Sequence, residues 1–391
     1  MLPEFYQFYH PTKMIFGEGL SCDFAHELEE LNVKNYFLIS DHVIQDLGLL
    51  NDIRHGLQQE GFTITGQFLD VPQDASLAAV KEVSRQASES GAQGLIAIGG
   101  GSVIDTAKAA NFTFSEGGDL VEDYSGAGTL TRPLKPLIVI PTTAGTGSEC
   151  TNVAVVYDVE NKAKLAFADR FLLPDIAVLD PLMTRSLPPG LTASTGMDAL
   201  THAVESYIGI DSSPHSDALA GAAVKLIFNN IVRATESGDD LEARGAMLIA
   251  ANLAGTAFSH SMVGCVHSMA HVVGAAFRVP HGIANAILLP HGLEYNFEEC
   301  MDKIALLAPF MGVDISGLSV DKAAEKAVEA VRDLNKSLNR AGNIPIRLRD
   351  TGVTKDSLTA LAEAAVEDGT SIYNPREVVA EEILVHLKNA Y

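Results

Sequence analysis

Two short runs, Gly94-Leu-Ile-Ala-Ile98 and Pro136-Leu-Ile-Val-Ile140, carry no polar side chain. A strand with one wet face alternates apolar and polar residues, so an unbroken apolar run implies burial on both faces. That is the condition of a strand inside a parallel sheet covered by helices. The surrounding chain fits. Tyr36–Ser40 and Thr63–Asp70 read as strands, a helical stretch runs between them to about Gly61, and Leu77–Ala92 reads as an amphipathic helix. Val153–Tyr157 and Ile176–Leu179 read as further strands. This order predicts an open α/β sheet with helices on both faces. After Leu187-Pro-Pro-Gly190 the strand signals stop. Helical patterns follow over Thr192–Ile208, Asp217–Ala234, Glu242–His260, Gly264–Phe277, Ile283–Asn296 and Val320–Ala341, with two more after Thr354 and Pro375. The expected organisation is an α/β N-terminal dinucleotide-binding domain, 1–188, followed by an all-α C-terminal metal-binding domain, 189–391.

The formal net charge of −23 disfavours nucleic acid and anionic membrane surfaces as partners, since both need a basic face. No apolar run reaches the length of a membrane span. Cys22, Cys150, Cys265 and Cys300 are widely separated and fit neither a disulfide framework nor a structural zinc pattern. The first residues, Met-Leu-Pro-Glu-Phe-Tyr, lack the basic and apolar regions of a signal peptide, so the expected location is cytoplasmic.

Beyond the Pro-Pro-Gly boundary lie Asp198 and His202, four apart on a predicted helix and hence on one face. His267 and His271 repeat that spacing, and His281 follows. Singly, such residues are surface pairs, caps or core histidines. Here five of the twelve histidines fall between His260 and His291 in a stretch rich in Gly, Ala, Val and Met. Burying that many imidazoles among apolar side chains is costly without a partner, and a metal ion is the simplest one. One carboxylate with two or three neutral imidazoles suits a divalent ion such as Fe, Zn or Ni.

In the first half, Gly99-Gly100-Gly101-Ser102-Val-Ile-Asp105-Thr-Ala-Lys108 joins a strand to a helix. Glycines there admit close approach of a phosphate to backbone N–H groups, although the run is neither G-x-G-x-x-G nor a P-loop. A tight turn is the other reading. Pro141-Thr142-Thr143-Ala-Gly145-Thr146-Gly147 offers hydroxyls and amides at the same carboxyl-terminal sheet edge, where such sheets bind nucleotides. Asp41 ends a strand where a carboxylate could accept hydrogen bonds from an adenosine ribose, favouring NAD over NADP. It could equally cap the next helix.

Together these segments resemble the iron-dependent (group III) alcohol dehydrogenases. The similarity runs from Tyr9-His-Pro-Thr-Lys-Met-Ile-Phe-Gly17 through the two glycine-rich turns to Gly196-Met-Asp198-x-x-x-His202 and His267-x-Met-Ala-His271…Pro280-His281-Gly. The triple-glycine motif is shared with glycerol dehydrogenase and its wider superfamily. The resemblance implies that Asp198, His202, His267 and His281 bind Fe²⁺, or in some members Zn²⁺, and that His271 lies near the nicotinamide. It assigns Gly100, Gly101 and Ser102 to the pyrophosphate, Thr142, Thr143 and Thr146 to adenosine and ribose, Lys164 to the cofactor and Phe258 to the substrate pocket. Pro72-Gln73-Asp74-Ala75 departs from the family's Asn-Pro-Thr, so Gln73 or Asp74 would replace an Asn contact.

The expected enzyme is an NAD-linked, metal-dependent alcohol dehydrogenase or aldehyde reductase. The ion polarises the alcohol oxygen, hydride passes to the nicotinamide, and His271 relays a proton. A pocket bounded by Phe258, Val153 and the ion favours small primary alcohols, diols or aldehydes. The family's N-terminal strand implies a homodimer or larger assembly. The rival readings are a glycerol-dehydrogenase-like polyol oxidoreductase, a metal-dependent hydrolase or lyase, and a non-catalytic metal or nucleotide binder. The last two leave one of the two motif sets without a role.

Overall fold

The computed structural model describes residues 3–161 and 163–391. Strands β1 (Lys13–Phe16), β2 (Asn35–Ile39), β3 (Thr63–Phe68), β4 (Gly94–Gly99), β6 (Leu137–Pro141) and β9 (Ile176–Leu179) form one sheet in the order β1-β9-β6-β4-β2-β3. Every pairing in it is parallel. The unbroken apolar runs are explained by alternation between two cores. Phe37, Ile39, Leu95, Ala97, Leu137 and Val139 enter one cluster, and Tyr36, Leu38, Ile96, Ile98, Ile138 and Ile140 enter the other. Helices α1 (His42–Asp46), α2 (Leu49–Gln59), α3 (Leu77–Glu89), α4 (Gly101–Glu116) and α5 (Leu120–Tyr124) belong to this part of the chain.

The structure corrects one strand assignment. Val153–Asp158 is β7 and lies outside the main sheet. It pairs antiparallel with β8 (Ala163–Ala168), and two-residue β5 (Gly126–Ala127) completes a three-stranded sheet. Strand β8 is invisible by alternation because Lys164 is its one charged side chain and four of its six residues are small or aliphatic.

The rest is helical: α6 (Pro189–Ile208), α7 (Pro214–Glu236), α8 (Leu241–Ser261), α9 (Cys265–Phe277), α10 (His281–Tyr295), α11 (Phe297–Leu307), α12 (Val320–Gly342), α13 (Leu358–Val366) and α14 (Ala380–Ala390). Helix α11 was not expected from sequence. Cys300, with φ −134°, breaks its regular turn and its apolar period. Among the described residues no single helix is long and apolar enough to cross a membrane.

The chain divides into two compact units near the expected boundary, at 186/187, with two exceptions. The stretch ending at Phe8 and the three residues Ala144–Thr146 cluster with the helical unit. The first is held by Phe8, whose ring stacks on His215 and His260 at 5.0 and 4.4 Å. The second is held by Gly145, where an added Cβ would lie 2.7 Å from Thr195 Cβ.

Candidate metal centre and glycine-turn site

Helix α6 is buried along most of its length, and Gly196 lets it pack closely. A Cβ there would meet Ile231 and Met247 at 2.6 and 2.8 Å. On this helix Asp198, His202 and Glu205, spaced by four and three, share a face. All three are at most 7 % exposed. Helix α9 supplies His267. Helix α10 begins at His281, directly after Pro280, and Gly282 brings it against α6, since a Cβ there would sit 2.1 Å from Ser194 O.

These helices bring Asp198, His267 and His281 together, with one ligand atom from each within 4.8 Å of the others. Asp198 Oδ1 lies 3.9 Å from His267 Nε2 and 3.3 Å from His281 Nε2. His202 falls outside this trio. Its ring is sandwiched between Phe258 and His267, at centroid distances of 4.3 and 4.7 Å, and its Nδ1 is buried without a hydrogen-bond partner. His271 is also apart: its Nδ1 meets Asp368 Oδ2 at 3.0 Å, and its ring stacks on His281 at 5.4 Å.

Two further residues complete the centre. Glu205 Oε2 accepts from His267 Nδ1 at 2.6 Å, while its carboxylate also takes the backbone N–H groups of Val266 and His267. A carboxylate on Nδ1 fixes the tautomer and aims Nε2 into the site. Asn285 donates its amide to Asp198 Oδ1 at 2.7 Å, and the same nitrogen lies 3.3 Å from His267 Nε2 and 3.2 Å from His281 Nε2. Three acceptors converging on one donor form a nest for positive charge, and this donor set fits a divalent ion. Both residues had a signal in spacing. Glu205 follows His202 by three and Asn285 follows His281 by four, so each shares a face with a named residue.

The electrostatics agree. Burial alone would raise Asp198, but His202, His281, His267 and the Asn285 amide together hold it below the ordinary carboxylate range. Burial, reinforced by the neighbouring His202, holds His267 well below the usual imidazole value despite Asp198. Burial likewise lowers His281 to about 3 against the pull of Asp198, although its side chain keeps 36 % exposure. Burial raises Glu205 to about 7 against its backbone donors. His267 and His281 are thus held in the neutral form that a ligand requires.

The glycine turn lies in the other unit. Strands leave β2 toward β3 on one side and toward β4 on the other, so the sheet's order reverses between β2 and β4. Ser40 Oγ spans these two strand ends, donating to Ile98 O at 2.7 Å. Gly99 ends β4, Gly100 caps α4 and Gly101 begins it. A Cβ on Gly99 would meet Val103 at 2.5 Å and one on Gly100 would meet Thr143 at 3.3 Å. The glycines thus keep the entrance to a sixteen-residue helix open, with its first N–H groups available to an anion. Thr142 N donates to Gly99 O at 3.0 Å, fixing the neighbouring turn.

Several expected cofactor contacts have duties within the protein. Asp41 realises the capping alternative, accepting from Ile44 N at 2.9 Å. Ser102 Oγ accepts from Asp74 N at 3.1 Å, which anchors a strained stretch where Asp74 and Ala75 have φ of 62° and 22°. Asp105, expected at the cofactor, also has partners within the protein. One carboxylate oxygen accepts from Ser148 Oγ at 2.6 Å and the other from Val155 N at 3.0 Å. Lys108 Nζ, fully buried, donates to Thr151 O, Thr151 Oγ1 and Val153 O at 2.7, 3.0 and 3.1 Å. Burial lowers it to about 8 against the pull of Asp105. Lys164 is exposed on β8, and Thr146 belongs to the helical unit, as Phe258 does. Val153, named with Phe258 for the substrate pocket, begins β7 of the α/β unit.

Comparison with known proteins accounts for both motif sets at once. The profile described as iron-containing alcohol dehydrogenase matches residues 11–181, and that of the C-terminal part of the Fe-containing alcohol dehydrogenase family matches residues 192–391. The chain is 34 % identical over 383 residues to an NAD-dependent methanol dehydrogenase of Bacillus methanolicus, covering 98 % of this chain and 99 % of that one. It is 36 % identical to a 1,3-propanediol dehydrogenase of Klebsiella pneumoniae, covering 97 % of each. The crystal structure of a 1,3-propanediol oxidoreductase superposes with a TM-score of 0.95 at 36 % identity, over 99 % of this chain and all of that one.

Proposed function

Because the chain belongs to the iron-containing alcohol dehydrogenases, we propose that it oxidises small primary alcohols or diols, or reduces the matching aldehydes, using NAD and one Fe²⁺. The observation that carries this is the convergence of Asp198, His267 and His281 on one point, with Glu205 fixing the orientation of His267. His202 completes the set through its unpartnered imidazole edge. When bound, the ion supplies Lewis acidity to an alcohol oxygen and the nicotinamide supplies a hydride acceptor.

The chain's own residues supply the rest. Asp198 contributes the one anionic ligand and holds its charge because the surrounding imidazoles favour it. Asn285 orients that carboxylate by donating its amide to Oδ1. His271, donating Nδ1–H to Asp368, presents Nε2 as a proton acceptor, the role required when an alcohol loses its hydroxyl proton. Phe258 covers the His202 ring and gives the centre an apolar wall. That wall favours short uncharged substrates. The names of the relatives, a methanol dehydrogenase and 1,3-propanediol dehydrogenases, support the same class.

The open start of α4 is the pyrophosphate site in this reading, with Gly99, Gly100, Gly101 and Ser102 around it and Thr142, Thr143, Thr146, Asp41 and Lys164 toward the nucleoside. Asp41 at the end of the strand disfavours a 2′-phosphate, which supports NAD over NADP. We also place the enzyme in the cytoplasm, consistent with four free cysteines, and in a homodimer or larger assembly. Strand β1 is a sheet edge with Met14 and Phe16 44 % and 48 % exposed, an arrangement that a second copy would cover. The test is anaerobic purification, metal analysis and an activity panel of short alcohols with NAD and NADP. Iron in a one-to-one ratio with NAD-linked turnover supports the reading. A metal-loaded protein that turns over no alcohol or aldehyde refutes it.

A further inference from the structure

Helix α10 carries a second group of metal-type ligands at its other end. His291 and Glu294 are three apart in its last turns, and His386 of α14 faces them, with one ligand atom from each within 4.8 Å of the others. His291 lies ten residues beyond His281, about 15 Å along one helix, so this cluster is separate from the first.

Two observations make it more than a chance cluster. His291 Nδ1 and His386 Nδ1 are both buried and without a hydrogen-bond partner. Buried polar groups are as a rule satisfied, so these two nitrogens call for a partner. His291 Nδ1 also lies 3.6 Å from Glu294 Oε2, too far for a hydrogen bond. It is close to the roughly 3.4 Å edge of a tetrahedron with ~2.1 Å bonds, the geometry of zinc with nitrogen and oxygen ligands. Two imidazoles and a carboxylate on two helices are a ligand set for that ion.

The surrounding charges are balanced. Arg332 Nη2 binds the other Glu294 oxygen, Oε1, at 2.5 Å. Glu382, one turn before His386, is held by Arg376 at 2.6 Å and is not counted as a ligand. Tyr295 packs edge-on against the His386 ring at 5.6 Å and restricts its rotation.

We propose that His291, Glu294 and His386 form a second divalent-cation site, with Zn²⁺ as its preferred ion, that fastens the C-terminal helix α14 to α10. The ion takes three protein ligands and one water. Its role is to tie the last helix down, apart from the alcohol chemistry.

The test is equilibrium dialysis of the iron-loaded protein against Zn²⁺, followed by measurement of iron and zinc per chain. One zinc equivalent is expected beyond the iron, with a rise in Tm. His291→Gln and His386→Gln should each lose that equivalent and the Tm rise while keeping iron and alcohol oxidation. Arg332→Met leaves all three ligands and removes one positive charge at roughly 5 Å, so it should bind Zn²⁺ about tenfold tighter. A crystal of the unaltered protein soaked in Zn²⁺ should show an anomalous peak between the three side chains, which keeps the test independent of whether the variants fold. No extra equivalent, equal zinc uptake by the histidine variants, or a bound water alone at the site would overturn the proposal.

Discussion

The glycine turn of the α/β unit and the histidine centre of the helical unit, the two sites of the proposed function, are built in opposite ways. At the turn the proposed working groups are backbone N–H donors, and the side chains nearby bond within the protein: Asp105 to Ser148 and Val155, Lys108 to Thr151 and Val153. At the centre the working groups are side chains, and the backbone only spaces them. The first site depends on what is missing at Gly99 and Gly100. The second depends on what Asp198, His267 and His281 carry. Substitutions should therefore act differently: an added methyl group damages the first, and a deleted functional group damages the second.

Asp198→Ala gives the sharpest contrast. It removes the one anionic ligand, so metal content should fall toward zero. The Lewis acid is worth several kcal/mol, so kcat/KM should drop by about 10³-fold or more. Dinucleotide affinity, measured by fluorescence titration, should hardly change. If nucleotide binding collapses as well, the division of labour between the two regions is wrong. His271→Ala should lower kcat by about 10²-fold and flatten the pH–rate profile while leaving metal content intact. Loss of metal in this variant would make His271 a ligand rather than a proton carrier.

Glu205→Gln tests the carboxylate behind His267. Metal affinity, read by competition with a chelator, should weaken by about 10–100-fold. An unchanged affinity would show that the 2.6 Å contact does not orient the ligand. Gly100→Ala is the reciprocal case. Its Cβ would meet Thr143 at 3.3 Å at the mouth of α4, and NAD binding should weaken by about tenfold, near 1.4 kcal/mol, with iron retained. Asp368→Asn should have the smallest effect. Although burial opposes it, the hydrogen bond to His271 holds Asp368 down to about 2 from an ordinary 3.8. That contribution, of order 2 kcal/mol, is fully present above about pH 4 and is lost as pH falls toward 2. The gap in urea stability between the unaltered chain and the variant should thus narrow on acidification below pH 4.

The fold class was legible because it rests on periodicity, and so were the pairs Asp198/His202 and His267/His271, although the structure groups only Asp198 and His267 of these four, together with His281. A run such as Leu95–Ile98 can only be apolar throughout if both faces are covered, and residues four apart on a helix share a face whatever surrounds it. Strand β8 and helix α11 were not legible. The first draws its stability from pairing with β7, and the second is broken at Cys300. Glu205 and Asn285 were readable in principle, since each continues a helical face already marked by a histidine.

The sequence alone determined which helices bear the candidate ligands, where a glycine turn joins strand to helix and where strands give way to helices, because each of these follows from local spacing along the chain. Only the tertiary structure decided that His281 reaches Asp198, since Gly282 must press α10 onto Ser194 of α6 for that. It alone decided that Asp105 bonds to Ser148 and Val155, and that His386 meets His291 from 95 positions further along the chain. Those contacts join segments far apart in sequence, and no local pattern records which distant partner will fill the space beside a side chain.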